Sequence, residues 1–230
     1  MTADDVVRQL ARLTKVLLES GVAVDYNSPT KDPPMGNKVT VAWGTQGDYP
    51  PLAAMSFGSI EEYQYYVKAR NYTFLLFDGA LLQISYKFYR DELKGHRLCY
   101  YPCPFKLDPD LFPDLPLEDC LEDIVAKILR ENNALSTGVQ LRSPVRIDYD
   151  PENGAEGHPS CHLHLNSQNC RLGVSIPLSV GHFIRFVFSN FYPEKWDTCE
   201  DLKSWPSTYQ PRLQTAWEEH NAFIDFARPA

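Results

Sequence analysis

Apolar residues recur along this chain with two periods, a four-three spacing in some stretches and strict alternation in others. The first period marks one face of a helix and the second one face of a strand. Val6, Leu10, Leu13 and Leu17 predict a helix over 2–20, with Thr2 as N-cap, Asp5 completing a capping box and Gly21 ending it. Ile60, Tyr63 and Val67 predict a second helix over 59–69. A third over 118–130 carries acids at its start and Lys127 and Arg130 at its end, as the helix dipole prefers. Leu213, Trp217, Phe223 and Phe226 predict a closing helix over 212–226.

Between the helices the pattern changes to strands at 22–26, 38–43, 72–77, 81–89 and 97–101. Asp78-Gly79 reads as a two-residue hairpin turn, and 91–95 as a second turn. The stretches 28–36, 44–58 and 102–116 read as loops, and 193–206 as irregular chain.

The richest segment is 143–192, three short strands followed by a helix. Val145, Ile147 and Tyr149 alternate with Arg146, Asp148 and Asp150. Cys161, Leu163 and Leu165 alternate with His162, His164 and Asn166, and Leu172, Val174 and Ile176 with Arg171, Gly173 and Ser175. Paired as an antiparallel meander, these strands put their apolar sides on one surface. The other surface then collects Arg146, Asp148, His162, His164, Asn166 and Arg171. The following helix starts at Ser179, a good N-cap, and Phe183, Phe186, Val187 and Phe191 give it an apolar face. Its free N–H groups suit an anion.

The predicted fold is α+β: two antiparallel β-meanders, in one mixed or antiparallel sheet, with flanking helices. The chain reads as a single domain over 1–230, with a division at 1–116 and 117–230 as the alternative.

The formal charge of −8 argues against a broad nucleic-acid-coating surface. Yet no Asp or Glu occurs between Glu156 and Glu194, a window holding Arg171, Arg185, His158, His162, His164 and His182. An acid-free island in an acidic protein is what a local anion site looks like. The six cysteines form no CxxC pair, no run is long and apolar enough to span a membrane, and the N-terminal segment is not a signal peptide. A soluble, reduced, cytoplasmic protein without membrane contact is expected.

Three chemistries fit the polar face. His162 and His164 can act as acid and base near neutrality, with Asp148 orienting one of them and Arg146 or Arg171 holding a phosphate. That predicts binding of a nucleic acid or nucleotide, with Asn166 and Ser179 as further anion contacts, and nuclease or phosphodiesterase activity. The same face suits binding without catalysis, or the chain serves as a protein-interaction subunit of a larger complex. An HxH strand with Asp148, and His158 as a fourth ligand, resembles a two-histidine, one-carboxylate metal set. Two arginines beside a cation weigh against it, so no cofactor is expected. The bland alternative is a solvated sheet face.

The runs FLLFDGALLQISYKF, HRLCYYPCPF, SPVRIDYDP, HPSCHLHLN and FIRFVFSNFY are similar to those of an uncharacterised bacterial family, classed as a domain of unknown function. The resemblance covers most of the chain. It implies no activity and no site residue. Families of this kind suggest a place beside DNA-modification or phage-defence systems.

Overall fold

The computed structural model describes residues 1–31, 36–44, 57–107, 116–130, 139–155, 157–167, 169–205 and 223–224. The chain opens with α1 (Ala3–Glu19), whose Thr2–Asp5 capping box forms as predicted: Thr2 N donates to Asp5 Oδ2 at 2.8 Å and Asp5 N to Thr2 Oγ1 at 3.2 Å. Its predicted stripe is fully buried. Strands β1 (Ala23–Tyr26), β2 (Pro29–Lys31) and β3 (Lys38–Trp43) follow, then α2 (Ile60–Lys68), capped by Ser59. β4 (Phe74–Leu76), β5 (Leu81–Tyr89) and β6 (Glu92–Tyr101) form the first meander and α3 (Leu117–Arg130) leaves it. β7 (Val145–Tyr149), β8 (Cys161–Leu165) and β9 (Leu172–Val174) form the second. The chain continues through α4 (Val180–Phe191), α5 (Pro193–Thr198), α6 (Glu200–Lys203) and β10 (Phe223–Ile224).

The ten strands of the described residues share one sheet, ordered β1-β4-β5-β6-β7-β8-β9-β10, with β3 also on β5 and β2 on β3. Every pairing is antiparallel except β10 on β9. The decisive contact is β6 against β7, which fuses the two meanders. α1 and α4 cover one face, packing Leu10, Leu13, Phe183, Ile184 and Phe188 on Ile84, Leu98, Ile147 and Leu163. α2 and α3 cover part of the other, where Tyr63, Tyr66, Leu121 and Val125 meet Leu81, Cys99 and Tyr101. Each β6–β8 strand therefore has one side in the aliphatic core and one in a more polar layer.

Several local expectations need correction. Asp78-Gly79 is not a two-residue turn. Phe74 pairs Leu82, Leu75 pairs Leu81 and Leu76 N donates to Ala80 O at 2.8 Å, which leaves Phe77, Asp78 and Gly79 as a three-residue loop, with Gly79 at φ +81° supplying the left-handed residue. The second turn is tighter than predicted. Tyr89 pairs Glu92, so Arg90 and Asp91, at φ +49° and +63°, form the turn and β6 starts at once. Gly95 lies inside β6, just beyond the bulge that shifts the β5–β6 register. There a Cβ would approach Tyr149 O to 3.0 Å, so glycine permits the close β6–β7 approach.

The 193–206 stretch contains two short helices, the first begun by Pro193 at its first position, where a missing N–H costs nothing. The predicted closing helix lies mostly outside the described residues. At Phe223 and Ile224 it is replaced by strand, because the free edge of β9 offers backbone partners to that apolar pair.

Candidate functional site

Alternation along β7 and β8 places Arg146, Asp148, His162 and His164 on the face turned away from α1 and α4. The register then sets them side by side, with Arg146 opposite His164 and Asp148 opposite His162. β6 adds a residue that the sequence reading left out of the site. Arg97 lies directly opposite Asp148 and donates from Nε to Oδ1 at 3.1 Å. Arg146 Nε stands 2.9 Å from Asp148 Oδ2, though out of line for a hydrogen bond. His164 Nε2 stands 3.6 Å from the same oxygen. One carboxylate is thus ringed by two guanidinium groups and an imidazole.

The cluster is not a solvated face: Asp148, His162 and His164 are 8%, 2% and 2% exposed. Phe57 contributes to the cover, with Arg146 4.9 Å from its ring centroid and His164 edge-on at 6.3 Å. Phe57 is held by the turn into α2, where Glu62 accepts from Gly58 N at 2.7 Å and from the hydroxyls of Tyr66 and Tyr101, both at 2.9 Å. The rings of His158, His162 and His164 stack edge to face in a row, with centroids 4.6 and 4.7 Å apart.

Burial and charge set the protonation states. For His164, burial, then the Arg146 charge and then His162 lower the pKa to about 4, against a smaller opposing pull from Asp148. Burial likewise lowers His162. Burial by itself would raise Asp148, but the Arg97 and Arg146 charges together with the Arg97 hydrogen bond hold it below the usual carboxylate value. At neutral pH the cluster is therefore an ionised carboxylate, arginine cations and neutral imidazoles.

The tautomers follow from the partners. His162 Nδ1 lies 2.7 Å from Pro159 O, which can only accept, so Nδ1 carries the proton and Nε2 keeps its lone pair. The Asp148 carboxylate favours a proton on His164 Nε2, which leaves Nδ1, buried and without a hydrogen-bond partner among the described residues, as a base. Asp148, His162 and His164 can each offer one ligand atom, all within 4.8 Å of one another, so the donor set for a divalent metal is present. Arg97 and Arg146, however, already approach both carboxylate oxygens.

The other predicted residues separate. Arg171 precedes β9, and its charge acts on both His162 and His164. Its Nε is buried without a hydrogen-bond partner among the described residues. His158 joins through its ring contact with His162. Asn166 does not join the polar face: β8 ends at Leu165 and Asn166 is an exposed residue at φ +54°. Ser179 lies on the opposite side of the sheet, where it caps α4. Its hydroxyl accepts from His182 N at 3.3 Å while the His182 ring caps Ser179 N in return, so that helix start is occupied. His96 and Cys99 fall on opposite faces, since His96 accepts from Leu178 N at 3.0 Å beneath α4 while Cys99 packs in the α2 layer. Arg97 was within reach of the sequence, since it alternates with Leu98 and shares a face with Cys99 on β6, but only the β6–β7 pairing links it to Asp148.

Fold and site together define an α+β protein with an antiparallel sheet whose inner polar face holds a buried His/Asp/Arg cluster. Among the described residues no helix is long and apolar enough to cross a membrane. The chain belongs to DUF2290, a family of uncharacterised conserved proteins, whose profile matches residues 22–226. No curated protein and no solved structure matches it.

Proposed function

We propose that the cluster on β6–β8 binds a phosphate-class anion carried by a nucleotide or nucleic acid, and that His162 and His164 move protons at the bound group. The observation that carries this reading is the charge balance. Arg97 and Arg146 flank the one carboxylate, Asp148, and the Arg171 charge acts on His162 and His164 beside it, so three cations face one carboxylate at a cluster whose Asp148, His162 and His164 are buried. Arginine cations in low dielectric attract an anion far more strongly than in bulk water. The histidines offer lone pairs rather than positive charge at neutral pH, which is the state a general base requires. Asp148 serves as the orienting group: it holds Arg97 and Arg146 in place and sets the His164 tautomer.

The test is a titration with labelled RNA, DNA and mononucleotides that scores binding and cleavage in the presence of a chelator. Binding weakened at least tenfold by Arg146→Ala, with the melting temperature checked separately, is the expected result. Cleavage that survives chelator and disappears in His164→Gln places proton transfer on that ring. Wild-type protein that binds none of these ligands sinks the reading. The donor set of Asp148, His162 and His164 supports a second reading, a metal-dependent site, for which binding or cleavage would be lost with chelator and restored by a divalent cation.

A further inference from the structure

We infer that the β6–β8 cluster binds a divalent first-row transition ion and a phosphate-class anion as one unit, with Asp148, His162 and His164 holding the ion and Arg146 and Arg171 holding the anion. The inference rests on the metal-dependent second reading above and adds that each component strengthens the binding of the other.

The geometry of the donors comes first. Asp148, His162 and His164 each offer one ligand atom, all within 4.8 Å of one another. Atoms bonded to a single ion at about 2.0–2.2 Å lie at most about 4.4 Å apart, so small side-chain shifts close the set. His162 reaches the ion with Nε2, because Nδ1 is committed to Pro159 O at 2.7 Å, the kind of backbone contact that fixes a ligating imidazole. One oxygen of Asp148 is available. Oδ1 accepts from Arg97, but Arg146 Nε is out of line at Oδ2 and His164 Nε2 is 3.6 Å away, so Oδ2 accepts a hydrogen bond from neither. Two imidazoles and one carboxylate suit an ion of the Mn²⁺ to Zn²⁺ series better than Mg²⁺ or Ca²⁺, which favour oxygen ligands.

Burial leaves two kinds of group unsatisfied. His164 Nδ1 has no hydrogen-bond partner among the described residues, and an imidazole nitrogen is a metal ligand. Arg146 Nε and Arg171 Nε also lack partners among the described residues, and these N–H groups can only donate. A cation alone leaves the arginines unsatisfied, and an anion alone leaves the nitrogen lone pairs unused. A metal ion with a phosphate oxygen on it meets both needs.

Charge leads to the same pairing. Arg97, Arg146 and Arg171 act on a cluster with the one carboxylate of Asp148. Glu62, on α2, is already engaged by Tyr66, Tyr101 and Gly58 N. A divalent ion arriving alone adds to that positive excess among buried groups, where charges are poorly screened. A phosphomonoester, at about −1.5 to −2 near neutrality, offsets what the ion adds. Ion and anion therefore raise each other's affinity, by the same factor in both directions.

The experiment uses the full chain, freed of metal by chelator and dialysis. A labelled nucleoside monophosphate is titrated with and without Mn²⁺, and Mn²⁺ is titrated with and without the monophosphate by loss of the free-ion spin-resonance signal. The expected result is at least tenfold tighter binding in each direction, with a smaller gain when Mg²⁺ replaces Mn²⁺. Arg146→Ala should bind Mn²⁺ alone more tightly than wild type, because a repelling charge is gone, and should lose the gain from the monophosphate. Association of Mn²⁺ with the monophosphate in solution is the same for every variant, so this comparison removes it. Arg97→Ala, whose side chain is 46% exposed, should shift Mn²⁺ affinity in the same direction, and it keeps the test open if Arg146→Ala does not fold. Mn²⁺ that binds equally well with and without the monophosphate overturns this inference and leaves the metal reading standing. A gain as large with Mg²⁺ overturns the assignment of the imidazoles as ligands. Monophosphate bound while Mn²⁺ is not overturns the metal reading as well and leaves the anion reading; binding of neither overturns all three.

Discussion

Acid should destabilise this protein through His164, and the size of the effect can be worked out. Burial, Arg146 and His162 hold the folded-state pKa at about 4, against an ordinary 6.5. Between these values the unfolded chain binds a proton at this position and the folded chain does not. Stability therefore rises with pH across that window, and it is lost as pH falls from 6.5 towards 4. At 1.36 kcal/mol per pH unit the full difference is roughly 3 kcal/mol, or about 2 kcal/mol allowing for residual solvent screening. His96, also lowered to about 4 by burial, adds a similar loss in the same window. Against a typical total of roughly 5–15 kcal/mol, the pair removes a large fraction of the fold's stability. The assay is urea unfolding at half-unit steps from pH 7 to pH 4. His164→Gln should reduce the slope of stability against pH between 5 and 6 by about 1 kcal/mol per pH unit, close to one proton. His96, on the other face, continues to titrate and provides the residual slope. Identical slopes for wild type and His164→Gln would refute the assignment of His164 as a buried neutral base.

Asp148→Asn should cost about 3 kcal/mol in chemical denaturation, because it strands Arg146 among buried groups; Arg97, partly in solvent, keeps the figure at the low end for a broken buried pair. A loss below about 1 kcal/mol would mean the carboxylate is not what neutralises the two arginines. Leu163→Ala, whose side chain sits in the core beneath α4 on the reverse side of His162 and His164, should cost about 2–5 kcal/mol and leave anion affinity per folded molecule unchanged. Gly79→Ala should destabilise by about 1–3 kcal/mol, since φ is +81° and the added Cβ would meet Leu107 Cδ1 at 2.8 Å. A neutral result in thermal melts would show that the three-residue loop can change its conformation freely.

Much of this molecule was legible because its signals are local. The Thr2–Asp5 capping box lies within four residues, and the α1 stripe repeats every turn; both form as written. Alternation in β7 and β8 separated Ile147 and Leu163 from Asp148 and the two histidines correctly, because successive strand residues must point to opposite faces. The predicted pairing of those strands holds because strands consecutive in the chain tend to lie side by side in the sheet. The turns fared worse. Asp78-Gly79 announces a turn without fixing its length, and Arg90-Asp91 carries no glycine, so the second turn was expected later and longer, at 91–95.

The sequence by itself determined which residues share a face, and so which polar groups travel together. Tertiary structure decided what that face meets. The β6–β7 pairing brings Arg97 to Asp148 across 51 positions of sequence, α2 lays Phe57 over Arg146 and His164, and α4 takes Ser179 to the far side. Periodicity records the environment of a residue relative to its own strand or helix. It does not record which strand lies alongside, nor whether a polar face is open to water or closed beneath another layer. Those are settled by the burial of distant apolar surfaces against one another, and here that burial turned a polar sheet face into a buried His/Asp/Arg cluster.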